Sequence, residues 1–164
     1  MTFSRRTLAR AAVTLGAVAA LGTALPAFAA DPRVKFVTSE GDFVIEVYPD
    51  KAPKTVANFL QYVKDKHYDG TIFHRVIKNF MVQGGGFDKD YKQKPTRAPV
   101  QHEGRAAVAK GLKNVTGSVA MARTGDPNSA TSQFFINVVD NAMLNAPKPD
   151  GHGYTVFGKV VKGM

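Results

Sequence analysis

What most limits how this chain can fold is its punctuation. Short apolar runs, each long enough for a strand, are separated by clusters of glycine, proline, asparagine, aspartate and serine. One stretch departs from that pattern. Val34 to Val37 and Phe43-Val44-Ile45-Glu46-Val47-Tyr48 flank Ser39-Glu40-Gly41-Asp42, turn chemistry that predicts a hairpin. Alternation puts Phe43, Ile45 and Val47 on one face of the second run, and these are the better core candidates. After Pro49-Asp50-Lys51-Ala52-Pro53 the period changes: Val56, Phe59, Leu60 and Val63 fall at helical spacing, with Pro53 suited to the first turn and Lys64 and Lys66 to the last. Ser118 to Ala122, Gln133 to Val138 and Thr155 to Val161 return to strand patterning. Between them lie a turn-rich loop, Arg123 to Ser129, and a polar loop, Asn141 to Gly153, carrying Leu144. After Gly86 the chain turns polar through Lys89, Lys92, Lys94, Pro95, Pro99 and Glu103, a loop long enough to predict function or mobility. Many short strands with one helix, and neither repeat nor linker, predict a mainly β fold, an antiparallel barrel or sandwich.

The first 29 residues stand apart. Ser4-Arg5-Arg6-Thr7-Leu8 is followed by an apolar run from Ala11 to Leu25, too short to span a bilayer comfortably, and then by Pro26-Ala27-Phe28-Ala29-Ala30. That is the grammar of a secretory signal peptide cut after Ala29, leaving one domain over 30–164. The paired arginines fit a twin-arginine export signal, although Leu8 and Ala9 match its pattern only in part. An ordinary secretory signal carrying two arginines is the alternative. Either route predicts a periplasmic or secreted protein with no membrane attachment once the leader is removed.

The chain of 164 residues has a formal charge of +9, part of it in Arg5, Arg6 and Arg10 of the leader. The remaining Lys and Arg are scattered among Asp and Glu, so solvated faces account for them and no nucleic-acid partner is expected. With no cysteine, an exported domain has no disulfides, thiol catalysis or thiolate metal site. Gly84-Gly85-Gly86 lacks phosphate-loop spacing, His67, His74, His102 and His152 lack ligand spacing, and Ser118, Ser129 and Ser132 lack a nucleophile elbow. Neither cofactor nor metal is expected.

The chemistry concentrates in Phe73 to Gly86, two short apolar strands joined at Lys78-Asn79 and closed by three glycines. A purely structural hairpin has no need of Arg75 and Gln83 among so many core formers. Taken alone, Arg75 also fits a surface arginine, and Phe80, Met81, Phe134, Phe135 and Phe157 fit core positions. Phe134 and Phe135 must face opposite ways, so at most one is plainly interior.

FHRVIKNFMVQGGGF at 73–87, GSVAMAR at 117–123, SATSQFFIN at 129–137 and YTVFGKVVKGM at 154–164 resemble the cyclophilin peptidyl-prolyl isomerases, especially their bacterial exported branch. The resemblance runs from about Val34 to Met164. It implies a closed eight-stranded antiparallel barrel capped by two helices, with a proline-binding groove on its outer face. It also implies roles: Arg75 as the catalytic arginine, Phe80, Met81, Phe135 and Leu144 as pocket walls, and Gln83 and Gln133 as groups holding the substrate backbone. Ala122 and Arg123 would pair main chain to main chain with the peptide, and His74 would be a non-catalytic neighbour. Met143 stands where many eukaryotic members carry tryptophan, and Tyr154 where they carry histidine at the rim, which implies a softer pocket and weak cyclosporin binding. Members usually continue past VFGKVVKGM with a further helix and a closing strand, so the barrel is expected to be truncated before those pieces. The function implied is a monomeric isomerase of X–Pro bonds in unfolded or refolding exported polypeptides. A non-catalytic proline-binding module or holdase is the alternative, with a small basic nucleic-acid-binding barrel a distant third.

Overall fold

The computed structural model describes residues 30–164; the expected leader lies outside the described residues. Seven strands form one antiparallel sheet: β1 (Arg33–Phe36), β2 (Phe43–Val47), β3 (Arg75–Ile77), β4 (Met81–Gly84), β5 (Ser118–Met121), β6 (Phe134–Asn137) and β7 (Val156–Lys162). Two helices, α1 (Pro53–Lys64) and α2 (Gly104–Ala109), accompany them. Strand order is β1-β2-β7-β5-β6-β4-β3. The predicted strand runs agree with these spans to within two residues at each end.

Alternation decides the core. Phe43, Ile45 and Val47 of β2 are buried and join Val119, Met121, Phe134, Ile136, Phe157 and Val160 on the concave face. The sheet curls strongly around them. Phe43 of β2 lies 6.1 Å from Phe73, just before β3, although four strands separate β2 from β3 in the ladder. α1 plugs this interior, its Phe59 ring packing on Phe36, Tyr68, Phe134 and Phe157. The buried stripe of α1 is Thr55, Val56, Phe59 and Tyr62, rotated from the expected one, with Leu60 and Val63 only half-buried. The cause is polar: Thr55 donates from N and Oγ to Glu103 Oε2 at 2.8 and 2.7 Å, and Tyr62 Oη accepts from Arg97 N at 2.7 Å.

Those bonds also correct the reading of the segment after Gly86. It is neither loose nor devoid of structure. Glu103 sets its carboxylate against the first-turn N–H groups of α1, the end that favours negative charge, and so caps a helix whose own Ala52 cannot. Lys94 Nζ bonds the carbonyls of His67 and Asp69, and Arg97 pairs with Asp65. α2 then lays Ala107 onto the convex face of the sheet.

The expected mainly β antiparallel architecture is what forms, without hydrogen-bonded closure into a barrel among the described residues. The sheet has seven strands, and no hydrogen-bonded pairing joins β1 to β3 among the described residues. The strands are short and their facing sides are separated by a cleft of about 900 Å³, lined by Phe36, Phe43, Tyr68, Phe73 and Val160 among others.

Candidate active site

One cross-strand row organises the convex face. In the ladders Arg75 stands opposite Gln83, Gln83 opposite Phe135, Phe135 opposite Ala120, and Ala120 opposite Val156. Directly opposed residues share a face, so five strands present this row to one side. Phe134 and Phe135 do face opposite ways, yet both are buried, at 1% and 4% exposure. Phe134 belongs to the concave core, while Phe135 belongs to a second apolar cluster with Met81, Ala107, Leu112, Ala120, Leu144 and Val156. Phe80, Ala122 and Tyr154 pack half-buried against that cluster. The residues expected as pocket walls are therefore gathered into one apolar patch.

The polar groups sit at its edge. Arg75 is exposed on a three-residue edge strand, and no carboxylate pairs with it among the described residues. Its side chain makes one hydrogen bond among the described residues, a long one from Nη1 to Gln83 Oε1 at 3.4 Å. Gln83 Nε2 in turn donates to Gln133 Oε1 at 2.9 Å. Holding both amide oxygens in this way leaves Gln133 Nε2 as a donor without a partner among the described residues. Gly86 makes that arrangement possible, because a Cβ there would lie 2.5 Å from Gln133 Cγ. His74, beside Arg75, is pushed below the ordinary histidine range, first by burial and then by the Arg75 charge, so it is neutral at pH 7.

Sequence reasoning placed Ala122 and Arg123 at the groove through their main chain. The Ala122 N–H is already taken by the Gln133 carbonyl at 3.0 Å. Ala122 C=O and Arg123 N–H and C=O have no partner among the described residues. The Arg123 side chain turns inward instead, onto Asp150 and Gly153. Met143 is 55% exposed on a short 3-10 turn, next to the buried Leu144.

Two further groups went unnoticed in the sequence. Ala120, Val156, Ala107 and Leu112 complete the apolar patch. Beneath it runs a buried asparagine network: Asn137 Nδ2 donates to Asn114 Oδ1 and Ser118 Oγ, and Asn141 Nδ2 donates to Asn137 Oδ1 at 2.7 Å and to the Phe80 carbonyl at 2.9 Å. The Asn141 carbonyl accepts from Leu144 N at 2.9 Å, so this one residue fastens both Phe80 and Leu144. Asparagines at 137, 141 and 145, at four-residue intervals beside an apolar strand, were the available signal.

The 900 Å³ cleft lies elsewhere, between the sheet edges, and none of Arg75, Gln83, Gln133 and Phe135 lines it. Among the described residues no three His, Asp or Glu side chains gather closely enough to hold a metal ion. An uncompensated guanidinium beside an apolar patch, with amide donors between, can bind an uncharged extended peptide and place a cation against one of its atoms.

Comparisons with known proteins bear on what that peptide is. Residues 33–164 match the family model described as cyclophilin type peptidyl-prolyl cis-trans isomerase. A peptidyl-prolyl cis-trans isomerase of Acinetobacter baylyi is 52% identical over 157 residues, covering 96% of this chain and 79% of its own. Peptidyl-prolyl cis-trans isomerase B of Escherichia coli is 54% identical over 133 residues, covering 80% and 79%. Among solved structures, a cyclophilin type peptidyl-prolyl cis-trans isomerase of Cryptosporidium parvum, determined in the presence of the dipeptide Ala-Pro, superposes with a TM-score of 0.65 at 29% identity, covering 81% of this chain and 80% of its own. With these relatives and a mainly β fold carrying the matching motifs, the chain belongs to the cyclophilin-type peptidyl-prolyl cis-trans isomerases.

Proposed function

We propose that the convex-face row is where this isomerase turns X–Pro bonds, with Arg75 as the group acting on the reacting atoms. An amide resists rotation by about 18–20 kcal/mol because the nitrogen lone pair is delocalised into the carbonyl. For X–Pro both isomers are populated, but they exchange slowly. In the twisted transition state the lone pair returns to nitrogen, which becomes a hydrogen-bond acceptor. A donor aimed at that nitrogen binds the twisted form better than either planar one, and only such differential binding accelerates the step. Guanidinium suits the task because it stays charged and offers a planar fork of donors. The proline ring goes to the patch of Phe80, Met81, Phe135 and Leu144, with Tyr154 at its rim. The Gln133 amide and the free main-chain groups of Ala122 and Arg123 hold the peptide on either side, Gln83 orienting both Gln133 and Arg75.

The observation that carries this reading is the alignment of Arg75, Gln83 and Phe135 on directly paired positions of adjacent strands. Replacing Arg75 by Ala should lower the catalysed exchange of a proline tetrapeptide by roughly 10²–10³-fold, the usual cost of losing one transition-state donor. Peptide binding should survive. Unchanged turnover would refute the role given to Arg75, and retained binding without turnover in the unmodified chain would favour a binding module instead.

The substrates proposed are proline-containing segments of unfolded or refolding exported polypeptides, with the 1–29 leader directing the enzyme to the periplasm or outside. Expression in a Gram-negative host, fractionation and N-terminal sequencing test this; a chain retained in the cytoplasm with its leader uncut would overturn it.

A further inference from the structure

Arg123 is an unusual groove residue. Its side chain is only 2% exposed, although burying a cation is costly unless it is paired and hydrogen-bonded. Here it is both. Nη2 donates to Asp150 Oδ2 at 2.6 Å, Nε and Nη2 donate to the Gly153 carbonyl at 3.1 and 2.7 Å, and Nη1 donates to the Thr124 carbonyl at 2.9 Å. Asp150 is itself oriented by the N–H groups of His152 and Gly153, each 3.1 Å from Oδ1. The Gly153 carbonyl faces His102 Nε2 as well, at 3.1 Å. Gly153 has φ +69°, and a side chain there would run into the Ala146 main chain, so glycine is required where these donors converge.

The guanidinium also lies 4.5 Å from the centroid of the Tyr154 ring, which meets Phe135 edge-on at 5.6 Å. Tyr154 N donates to the Leu144 carbonyl at 2.9 Å. A continuous chain of contacts thus runs from Asp150 through Arg123 and Tyr154 to Phe135, while no described hydrogen bond links Arg123 or Tyr154 to Arg75 or Gln83.

We infer that Arg123, held by Asp150, is a positioning residue that fixes Tyr154 and with it the Phe135–Leu144 end of the groove, setting how tightly a proline peptide is held and leaving the rate of rotation to Arg75. This rests on the assignment of the groove to substrate. Lysine cannot take over, because one ammonium cannot serve Asp150, Gly153 and Thr124 together while lying flat on an aromatic ring.

The test uses the full chain and an Ala-Pro tetrapeptide, measuring its dissociation constant by titration and its cis–trans exchange rate at saturation. R123A should weaken binding by roughly tenfold, the scale of a lost stacking and ordering contribution, with the saturated rate within about twofold. R123K should fail to restore it. Y154A should weaken binding similarly, and the double variant R123A/Y154A should be no weaker than either, since the two act as one unit. Unchanged binding in R123A, additive losses in the double variant, or a saturated rate falling in step with affinity would each overturn the inference. Should R123A fail to fold, Asp150→Asn carries the same comparison: weaker binding at an unchanged rate supports it, and unchanged binding overturns it. Arg75→Ala, measured alongside, separates the two readings. If that variant keeps its exchange rate, the role of Arg75 fails while the affinity comparison at Arg123 still stands.

Discussion

The role proposed for Arg75 sets a guanidinium next to His74, and the pair bears on how the proposed site responds to pH. His74 is held below its ordinary range by burial and by the Arg75 charge itself, with no hydrogen-bond partner for Nδ1 among the described residues. Around neutrality only one of the two adjacent side chains therefore carries charge. The kcat/KM for a proline peptide should be flat from about pH 7 to pH 9, since neither a guanidinium nor a depressed imidazole titrates there. A bell-shaped profile centred in that window would refute it. Gly86 makes a second residue-scale case. A methyl group at this position meets the Gln133 side chain, so Gly86→Ala should displace the Gln133 amide and weaken peptide binding by about threefold to tenfold, with the saturated exchange rate nearly kept. Titration with the same peptide reads both numbers. Much of this was legible in one dimension: Arg75 and Gln83 stand out because strand alternation gives them no reason to be there. The inward turn of Arg123 was not legible, because its partner Asp150 lies 27 residues further on, across a loop.

At the scale of elements, the apolar patch proposed to receive proline is held by strands on one side and by a polar network on the other. β4, β6 and β5 carry Met81, Phe135 and Ala120 as rigid neighbours. Phe80 and Leu144 lie outside regular strands and depend on Asn141 for their placement. Asn141→Ala would leave Asn137 Oδ1 buried without its donor and the Phe80 carbonyl short of one, which should cost about 1–3 kcal/mol of stability. Urea denaturation measures it directly; a midpoint equal to that of the parent would sink the claim. The strands and α1 were readable because their apolar residues repeat at a fixed period. α2 was not: Gly104-Arg105-Ala106-Ala107-Val108-Ala109 is short and mostly small residues with almost no apolar stripe, and it is placed by tertiary contact through Ala107. The capping of α1 by Glu103 was hidden for the same reason, since it joins positions 48 and 49 residues apart.

Across the whole molecule, three histidines share one behaviour. His67, His74 and His102 are each shifted down, with burial the leading cause, so the unfolded chain takes up protons before the folded one. Stability should then decline as pH falls below about 6.5, the unfolded value, and go on declining until the folded imidazoles also titrate. The carboxylates of Asp65, Asp140 and Asp150 are shifted down by hydrogen bonds, so their contribution persists above the ordinary carboxylate range and disappears only in stronger acid. Denaturant midpoints at pH 8 and pH 5.5 should differ, with the lower pH less stable; equal midpoints would contradict this. Mainly β character was legible along the whole chain, whereas closure was not, because pairing of distant edges depends on curl rather than on any local pattern. Consecutive residues Phe134 and Phe135 fill the two sides of β6, one in the interior cluster and one in the convex-face cluster proposed to receive proline. A single peptide unit therefore separates the interior core from the proposed substrate face. A change of interior volume against Phe134 should therefore also shift Phe135 on the proposed groove.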